Sequence, residues 1–279
     1  MSIRRRAHQL TRGMAAAAFL AAAHVAAQAA EPPPRRIVSA NLCADRLVLQ
    51  LADRENVISV SHYAADPAVS TVAEAARGIR INQGNVEDIV SLHPDIVIFG
   101  AFNSMSTGAM LRSMGIRVHE LPPADSIASV RSVIRDLAST LGVPDSGERM
   151  ISDMDARLAA LPVRGRPVKA AVYQAGGWSA GRDTMADDLF GRVGFTNIAA
   201  EAGIVGFGAL PLESLVAASP EVIVVESAGE DMPSIAGDLL RHPALARGGV
   251  RRVGVPMRLW ACPDSALVEA AALIAGGAP

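Results

Sequence analysis

Two glutamates, Glu87 and Glu213, occupy the same position in a unit that occurs twice in the chain. The unit spans residues 85–98 and 211–224, so the two copies are 126 residues apart. Each copy has the glutamate on a short amphipathic helix, followed by a helix-ending proline, an acidic residue and an apolar β-branched run. A long unit present only twice indicates two lobes of similar construction rather than a solenoid. An exposed carboxylate on each lobe is suited to an ion pair with a partner, although most surface glutamates only solvate a helix face.

Aromatic residues are scarce, at 4% of the chain, and both tryptophans lie in predicted loops rather than in helix stripes. Loops at the carboxyl ends of parallel strands line the crevice of open α/β sheets. We therefore predict a ligand-binding site formed by Tyr63, Asn103, Trp178, Phe207 and Trp260. Such a platform suits a large, partly apolar ligand that contains rings. The alternative is that the two tryptophans fill the cores of the lobes.

Cys43 and Cys262 are the only cysteines of the chain. An even count favours a disulfide in an exported protein, but two cysteines in a chain of this length are not a disulfide scaffold. Two free, buried thiols are the alternative. The sequence has no Cys-x-x-Cys motif, and its histidines lack the spacing of zinc ligands, so neither a redox site nor a metal site is predicted.

Signatures of common enzyme classes are missing from the sequence. It contains no Gly-x-Ser-x-Gly, no phosphate-binding P-loop and no His-Glu-x-x-His. We therefore predict no catalytic residues, no resident cofactor and no enzymatic activity. The alternative from another functional class is a secreted α/β hydrolase.

The start of the chain has the three parts of a secretory signal peptide. Three arginines at 4–6 precede an apolar run at 14–26, which is too short to span a bilayer comfortably, and then small residues. We predict a signal peptide over residues 1–30, cleaved near Ala29 or Ala30, and a mature protein in the periplasm. The leader holds four arginines and no acidic residue, so its removal changes the formal charge from −2 to −6. This charge disfavours nucleic acid and anionic membranes as partners.

Strand and helix signals alternate on both sides of a central helical stretch, which predicts parallel sheets covered by helices. We predict an N-terminal α/β lobe over 31–123, a helical connector over 124–162 and a C-terminal α/β lobe over 163–279. In the connector, Ser126 is a predicted N-cap, and Asp145 with Glu148 a predicted capping box. In the second lobe we predict a glycine-rich turn at 176–181, a loop at 203–208 and a helix near 235–240.

Together these features resemble one family, the periplasmic substrate-binding proteins of ABC importers of the ferric-siderophore and vitamin B12 type (class III). The resemblance covers residues 36–275. Its most specific parts are the opening Arg36-Ile37-Val38-Ser39, the two copies of the repeated unit and the glycine-rich turn at 176–181. It implies two Rossmann-like lobes joined by a rigid helical connector, with the ligand held in the cleft between them.

The resemblance also implies the partners. Glu87 and Glu213 would dock a monomeric binding protein onto arginines of a permease dimer. The implied ligand is an iron-siderophore-type chelate, with cobalamin or haem as alternatives. Members that bind vitamin B12 tend to have an aromatic residue six positions before each docking glutamate. Phe207 fits this pattern, and Ile81 departs from it.

Few residues separate these ligand alternatives in the sequence. Arg80 and Arg182 are candidates for contacts with an anionic siderophore. His62 or Tyr63 would be candidates for the axial ligand of a haem iron.

The same resemblance brings the two cysteines together. Cys43 follows the first strand of the first lobe, and Cys262 precedes the last helix of the second. We hypothesise that both face the cleft and form a disulfide that bridges the lobes, which a nearly rigid two-lobe protein would tolerate.

Overall fold

The apolar β-branched runs of the first half form a five-stranded parallel sheet in a computed structural model, which describes residues 32–100, 105–163, 165–226, 242–246 and 249–277. The strand order is β3-β2-β1-β4-β5. The central strands β1 and β4 are buried along their whole lengths, as expected for strands covered by helices on both faces. The strands are β1 Ile37–Ser39, β2 Val57–Ser61, β3 Arg80–Asn82, β4 Ile96–Gly100 and β5 Val118–Leu121.

Helices connect these strands, and two of them begin at side-chain caps. The helices of the first half are α1 Leu42–Leu51, α2 Ala73–Ala76, α3 Val86–Ser91 and α4 Met105–Ser113. The first of them begins at Leu42, where the Asn41 side chain accepts a hydrogen bond from the Ala44 amide. Asn85 caps α3 in the same way through the Asp88 amide.

The connector consists of two packed helices, α5 Ile127–Thr140 and α6 Pro144–Ala159. They run antiparallel, as two ion pairs between them show: Arg131 pairs with Asp155, and Arg135, one turn later in α5, pairs with Glu148, which lies earlier in α6. The capping box predicted at Asp145 and Glu148 is therefore wrong, since Glu148 faces Arg135 and no side chain caps α6. Ser126 caps α5 as predicted, in a capping box with Ser129.

The second half contains a four-stranded parallel sheet in the order β8-β6-β10-β11 and a two-stranded antiparallel ribbon of β7 and β9. The strands are β6 Val168–Val172, β7 Trp178–Ala180, β8 Phe195–Asn197, β9 Phe207–Ala209, β10 Val222–Glu226 and β11 Arg251–Val255. The helices are α7 Met185–Arg192, α8 Ile198–Glu201, α9 Leu212–Ala217, α10 Pro243–Ala246, α11 Met257–Trp260 and α12 Leu267–Gly276. The predicted glycine-rich turn at 176–181 therefore contains strand β7, and the loop predicted at 203–208 leads into its partner β9. The helix predicted near 235–240 lies outside the described residues.

The two sheets have equivalent topology. The order β2-β1-β4-β5 in the first corresponds to β8-β6-β10-β11 in the second, so the strands of the repeated unit, β4 and β10, occupy the same place. Each lies beside the first strand of its lobe, where the chain changes direction across the sheet. The predicted fold class, two Rossmann-like α/β lobes, is confirmed.

The apolar core is continuous between the halves. One buried cluster includes Leu47 of α1, Leu137 of α5, Val255 of β11 and Ile274 of α12. The described residues from Pro34 onward accordingly form one compact unit. The boundaries proposed for the lobes and the connector remain predictions. In the ranges that the structure describes, no helix is both long and apolar enough to cross a membrane.

Candidate ligand cleft and docking helices

A cavity of about 720 Å³ lies where the carboxyl ends of β1, β4 and β5 meet the second lobe. Its walls include Asn41, Cys43, Gly100, Leu121 and Asp125 from the first lobe and the connector, and Asp183, Thr184, Phe207, Trp260 and Cys262 from the second lobe. Asn41 lies two residues after β1, and Gly100 is the last residue of β4. These are the two strands between which the topology of the first sheet switches. This is the edge where open α/β sheets bind ligands.

Two glycines allow close approaches around the cavity. A Cβ atom on Gly100 would lie 2.1 Å from Nδ2 of Asn41, the residue that caps α1. A Cβ atom on Gly181 would lie 2.1 Å from the carbonyl oxygen of Ile204, in the segment that leads into β9. Both the floor of the cavity and the ribbon beside it therefore require glycine at these positions.

The ribbon presents aromatic side chains to solvent. Trp178 pairs with Ala209, and Ala180 pairs with Phe207, so Trp178 and Phe207 lie on the same face. Trp178 is 52% exposed and Phe207 66% exposed. On the opposite face the buried Ser179 hydroxyl donates to the Val172 carbonyl and holds the ribbon against β6.

The structure brings only part of the predicted ligand site together. Phe207 and the partly buried Trp260 line the large cavity, whereas Trp178, on the same face of the ribbon as Phe207, does not line it. Tyr63 lines a separate cavity of about 350 Å³ at the carboxyl ends of the same sheet. Asn103 lies outside the described residues. Because Ala40 and Phe99 line the small cavity and Asn41 and Gly100 the large one, the two cavities share one edge.

A buried carboxyl group supports the turn that carries Tyr63. Asp45 on α1 is inaccessible to solvent and accepts hydrogen bonds from the Ser61 amide at 3.0 Å and the Ser61 hydroxyl at 2.5 Å. Burial raises the pKa of Asp45 from 3.8 to about 6, although the bonds from Ser61 and the charge of His62 lower it. The rings of His62 and Tyr63 lie against each other, with centroids 3.9 Å apart and planes tilted by 38°. Asp45 therefore fixes the start of this turn.

A set of bonds, here called the clasp, joins one face of α1 to the segment before α12. Cys43 and Cys262 form a disulfide with their Cα atoms 5.1 Å apart. The buried Arg46 and Asp264 form an ion pair of 2.6 Å. The clasp also includes Gln50, whose side chain accepts a hydrogen bond from the Ser265 hydroxyl at 2.9 Å.

The arginine and the aspartate of the clasp were missed in the sequence. The available signal is the spacing of Cys43, Arg46 and Gln50, which places three polar or reactive side chains on one face of a mainly apolar helix. Nothing local identifies Asp264, because it is 218 residues away from Arg46.

The basic residues proposed as ligand contacts do not line the large cavity. Arg80 pairs with Asp88 at 3.4 Å, and Arg182 is exposed beside the ribbon. The charged residues that line the cavity are instead two aspartates, Asp125 and Asp183. Among the residues that the structure describes, no group of three or more histidine, cysteine or acidic side chains is arranged to hold a metal ion.

The repeated glutamates lie at equivalent, exposed places. Glu87 is on α3 before β4, and Glu213 is on α9 before β10. In the described part of the chain, neither carboxylate takes part in an ion pair. Both copies end in a left-handed residue before proline, with φ of 49° at His93 and 56° at Ser219. The shared conformation gives His93 a structural role in ending its helix.

Comparison with known proteins identifies relatives of this chain. Residues 37–248 match the family described as periplasmic binding protein. A curated cobalamin-binding protein of Halobacterium salinarum is 26% identical over 220 residues, which are 77% of this chain and 60% of that protein. The chain thus matches less than two thirds of the length of this relative.

Solved structures with the same fold include a periplasmic heme-binding protein, RhuT from Roseiflexus sp. RS-1. It is 26% identical, with a TM-score of 0.70, and the match covers 86% of this chain and 97% of that one. The periplasmic vitamin B12-binding protein BtuF of Vibrio cholerae is 16% identical, with a TM-score of 0.62 and coverage of 88% and 96%. The second likeness concerns the fold alone.

Proposed function

Because the chain belongs to the periplasmic binding protein family, we propose that it is the substrate-binding component of an ABC importer. It captures a large metal chelate in the cleft between its lobes and delivers it to a membrane permease. The protein acts by binding and catalyses no reaction.

The observation that carries this proposal is the cavity of about 720 Å³, to which both lobes contribute. Its volume lies in the range of small-molecule sites, which are typically about 300–1,000 Å³ and mainly apolar. Phe207 and Trp260 supply aromatic surface, and Trp178 extends it along the ribbon. Flat aromatic faces of this kind suit a chelate built on rings.

Charge in the cavity favours one class of chelate. The carboxylates of Asp125 and Asp183 repel anionic ligands and attract neutral ligands with N–H donors or cationic ones. We therefore rank a corrinoid, which carries many amide groups, above the anionic ferric siderophores. The similarity to a protein named as cobalamin-binding supports this order.

A haem is the second candidate ligand, and Tyr63 is the observation that favours it. The Tyr63 side chain is 46% exposed, lines the smaller cavity and lies against the ring of His62. A tyrosine or histidine placed there has the chemistry of an axial ligand for haem iron. The relative of known structure from Roseiflexus is named as heme-binding.

Glu87 and Glu213 are the proposed docking residues for the permease. Each exposed ion pair contributes little alone, about 0–1 kcal/mol. Two carboxylates on separate lobes, however, fix the orientation of a monomer on a two-fold-symmetric partner, because electrostatic complementarity sets register more than affinity.

Quenching of tryptophan fluorescence tests the proposal. The purified mature protein is titrated with cyanocobalamin, haemin, cationic ferrioxamine B and anionic ferric enterobactin. We expect cyanocobalamin to bind most tightly and ferric enterobactin least tightly. The absence of saturable quenching by every one of these chelates would refute the proposed function.

Two variants locate the binding site. Phe207→Ala removes an exposed aromatic wall of the cavity and should weaken binding of the chelate that quenches. Met114→Ala removes a similarly exposed side chain just after α4, at the opposite edge of the first sheet, and should leave the affinity unchanged. Equal effects of the two substitutions would place the site elsewhere.

A further inference from the structure

The guanidinium group of Arg46 joins α1 of the first lobe to a wall of the cleft in the second. Its Nε and Nη2 atoms donate to the two carboxylate oxygens of Asp264 at 2.6 and 2.7 Å, and Nη1 donates to the Arg258 carbonyl at 2.6 Å. Both charged side chains are fully buried. A bidentate arginine pair fixes direction as well as distance.

The two acceptors of Arg46 bracket the cleft-lining segment 259–263. This segment contains Trp260 and Cys262, and its own backbone hydrogen bonds are local, such as the one from the Ala261 amide to the Met257 carbonyl. Within the described ranges, every hydrogen bond between residues 257–266 and the first lobe is formed with a side chain of α1. The position of this wall of the cavity therefore depends on α1.

We propose that Arg46 is a positioning residue for ligand binding. It lies behind the cavity wall, and it holds Trp260 in the orientation that a ligand meets. Without the guanidinium group, Asp264 would be a buried carboxylate with no cationic partner, and the segment would shift toward water to solvate it. The consequence for affinity rests on the proposed function, whereas the consequence for Trp260 does not.

A ligand-free optical experiment tests the position of Trp260. The chain has two tryptophans, so Trp178→Phe leaves Trp260 as the single reporter. In this background Arg46→Met should shift the emission of Trp260 to the red and increase its quenching by acrylamide. The control Arg131→Met breaks the bidentate pair with Asp155 between α5 and α6 and should change neither signal.

A second variant keeps the test decisive if Arg46→Met does not fold. Arg46→Lys retains the positive charge but lacks the planar fork, so it cannot hold both acceptors in the same geometry. We expect an intermediate exposure of Trp260. Unchanged emission and quenching in a folded Arg46 variant, or an equal change in the Arg131→Met control, would overturn the proposal.

The ligand arm uses calorimetry with cyanocobalamin and with haemin on protein that retains both tryptophans. Arg46→Met should weaken the affinity about tenfold, as expected when one aromatic contact is misplaced, and Arg46→Lys should restore part of it. Wild-type affinity in Arg46→Met would overturn the role in binding. If neither compound binds the unaltered protein, the calorimetry is repeated with ferrioxamine B and ferric enterobactin. If none of the four chelates binds, the proposed function fails, and the optical experiment still decides whether Arg46 positions Trp260.

Discussion

Replacing both Cys43 and Cys262 by serine should remove several kcal/mol from the free energy of unfolding. The disulfide joins residues 219 positions apart in sequence, so it closes a loop through most of the folded chain. Cross-linking restricts the unfolded chain, and the loop-closure entropy for a span of this length corresponds to about 5 kcal/mol at 25 °C. That value applies if the native state is unchanged by the substitution.

The folded state should survive the loss of the disulfide. The ion pair of Arg46 and Asp264 remains beside it, and the buried apolar cluster continues from one half to the other. Measured effects of disulfides often fall below the entropic value, because the unfolded state retains some structure. We therefore expect a loss of about 2–5 kcal/mol, with a folded but less stable protein.

Urea denaturation followed by circular dichroism measures this difference. Four samples are compared, the unaltered protein and the double serine variant, each with and without dithiothreitol. The reductant should lower the stability of the unaltered protein to that of the variant and leave the variant unchanged. The reasoning is refuted if oxidised protein and variant differ by less than about 1 kcal/mol. Detection by mass of two free thiols in protein isolated from the periplasm would also refute it.

Three further predictions follow from the docking helices, the clasp and the buried carboxyl group. Glu87→Arg combined with Glu213→Arg should abolish uptake by cells and leave the affinity of the purified protein for its chelate unchanged. Asp264→Asn should destabilise the protein by about 3–5 kcal/mol in urea, because Arg46 would keep a buried, uncompensated charge. Burial raises the pKa of Asp45 from 3.8 to about 6, so the folded state holds this proton more tightly than the unfolded state. The tighter binding of this proton stabilises the folded state below pH 4, and the stabilisation is lost as the pH rises through 6. At pH 7 the free energy of unfolding should be about 3 kcal/mol lower than at pH 4, and an Asp45→Asn variant should not show this decrease.

Each of these predictions has a control. Loss of chelate binding in the double glutamate variant would contradict a role confined to docking. Replacing both Arg46 and Asp264 by apolar residues should be less harmful than Asp264→Asn alone, and an equal loss would argue against an uncompensated buried charge. For Asp45, denaturation at pH 4, 5.5 and 7 gives the comparison, and parallel stability curves for Asp45→Asn and the unaltered protein would contradict the linkage.

The alternating fold was predictable because its signals are local. The β-branched runs became β1, β4 and β10 within one or two residues, and the repeated unit identified two equivalent sheets. The ends of the helices in both copies also follow from sequence, since each helix is followed by a proline that cannot continue it. The left-handed conformation of the residue before each proline was not predicted. Local propensity and hydrophobic pattern agree in these segments, so their secondary structure could be predicted from the sequence.

The remaining features depend on contacts between distant residues. The ribbon was missed because Trp178–Ala180 has only three residues, and its partner strand lies beyond two intervening helices and a strand. The Arg46–Asp264 pair was missed because no local pattern links residues 218 positions apart. The residues predicted to bind the ligand line two different cavities. The ends of strands can be inferred from sequence, but the cavity that each following loop lines cannot.

The clasp on α1 also has a consequence for modularity. The two lobes share one strand order, as expected of units that can be exchanged or expressed alone. The first lobe in isolation, however, would present Cys43 and Arg46 on a helix face whose covalent and ionic partners belong to the other lobe. A hybrid that combines this first lobe with a related second lobe would need a cysteine and an aspartate at the matching places. The lobes are alike in architecture but are not interchangeable parts.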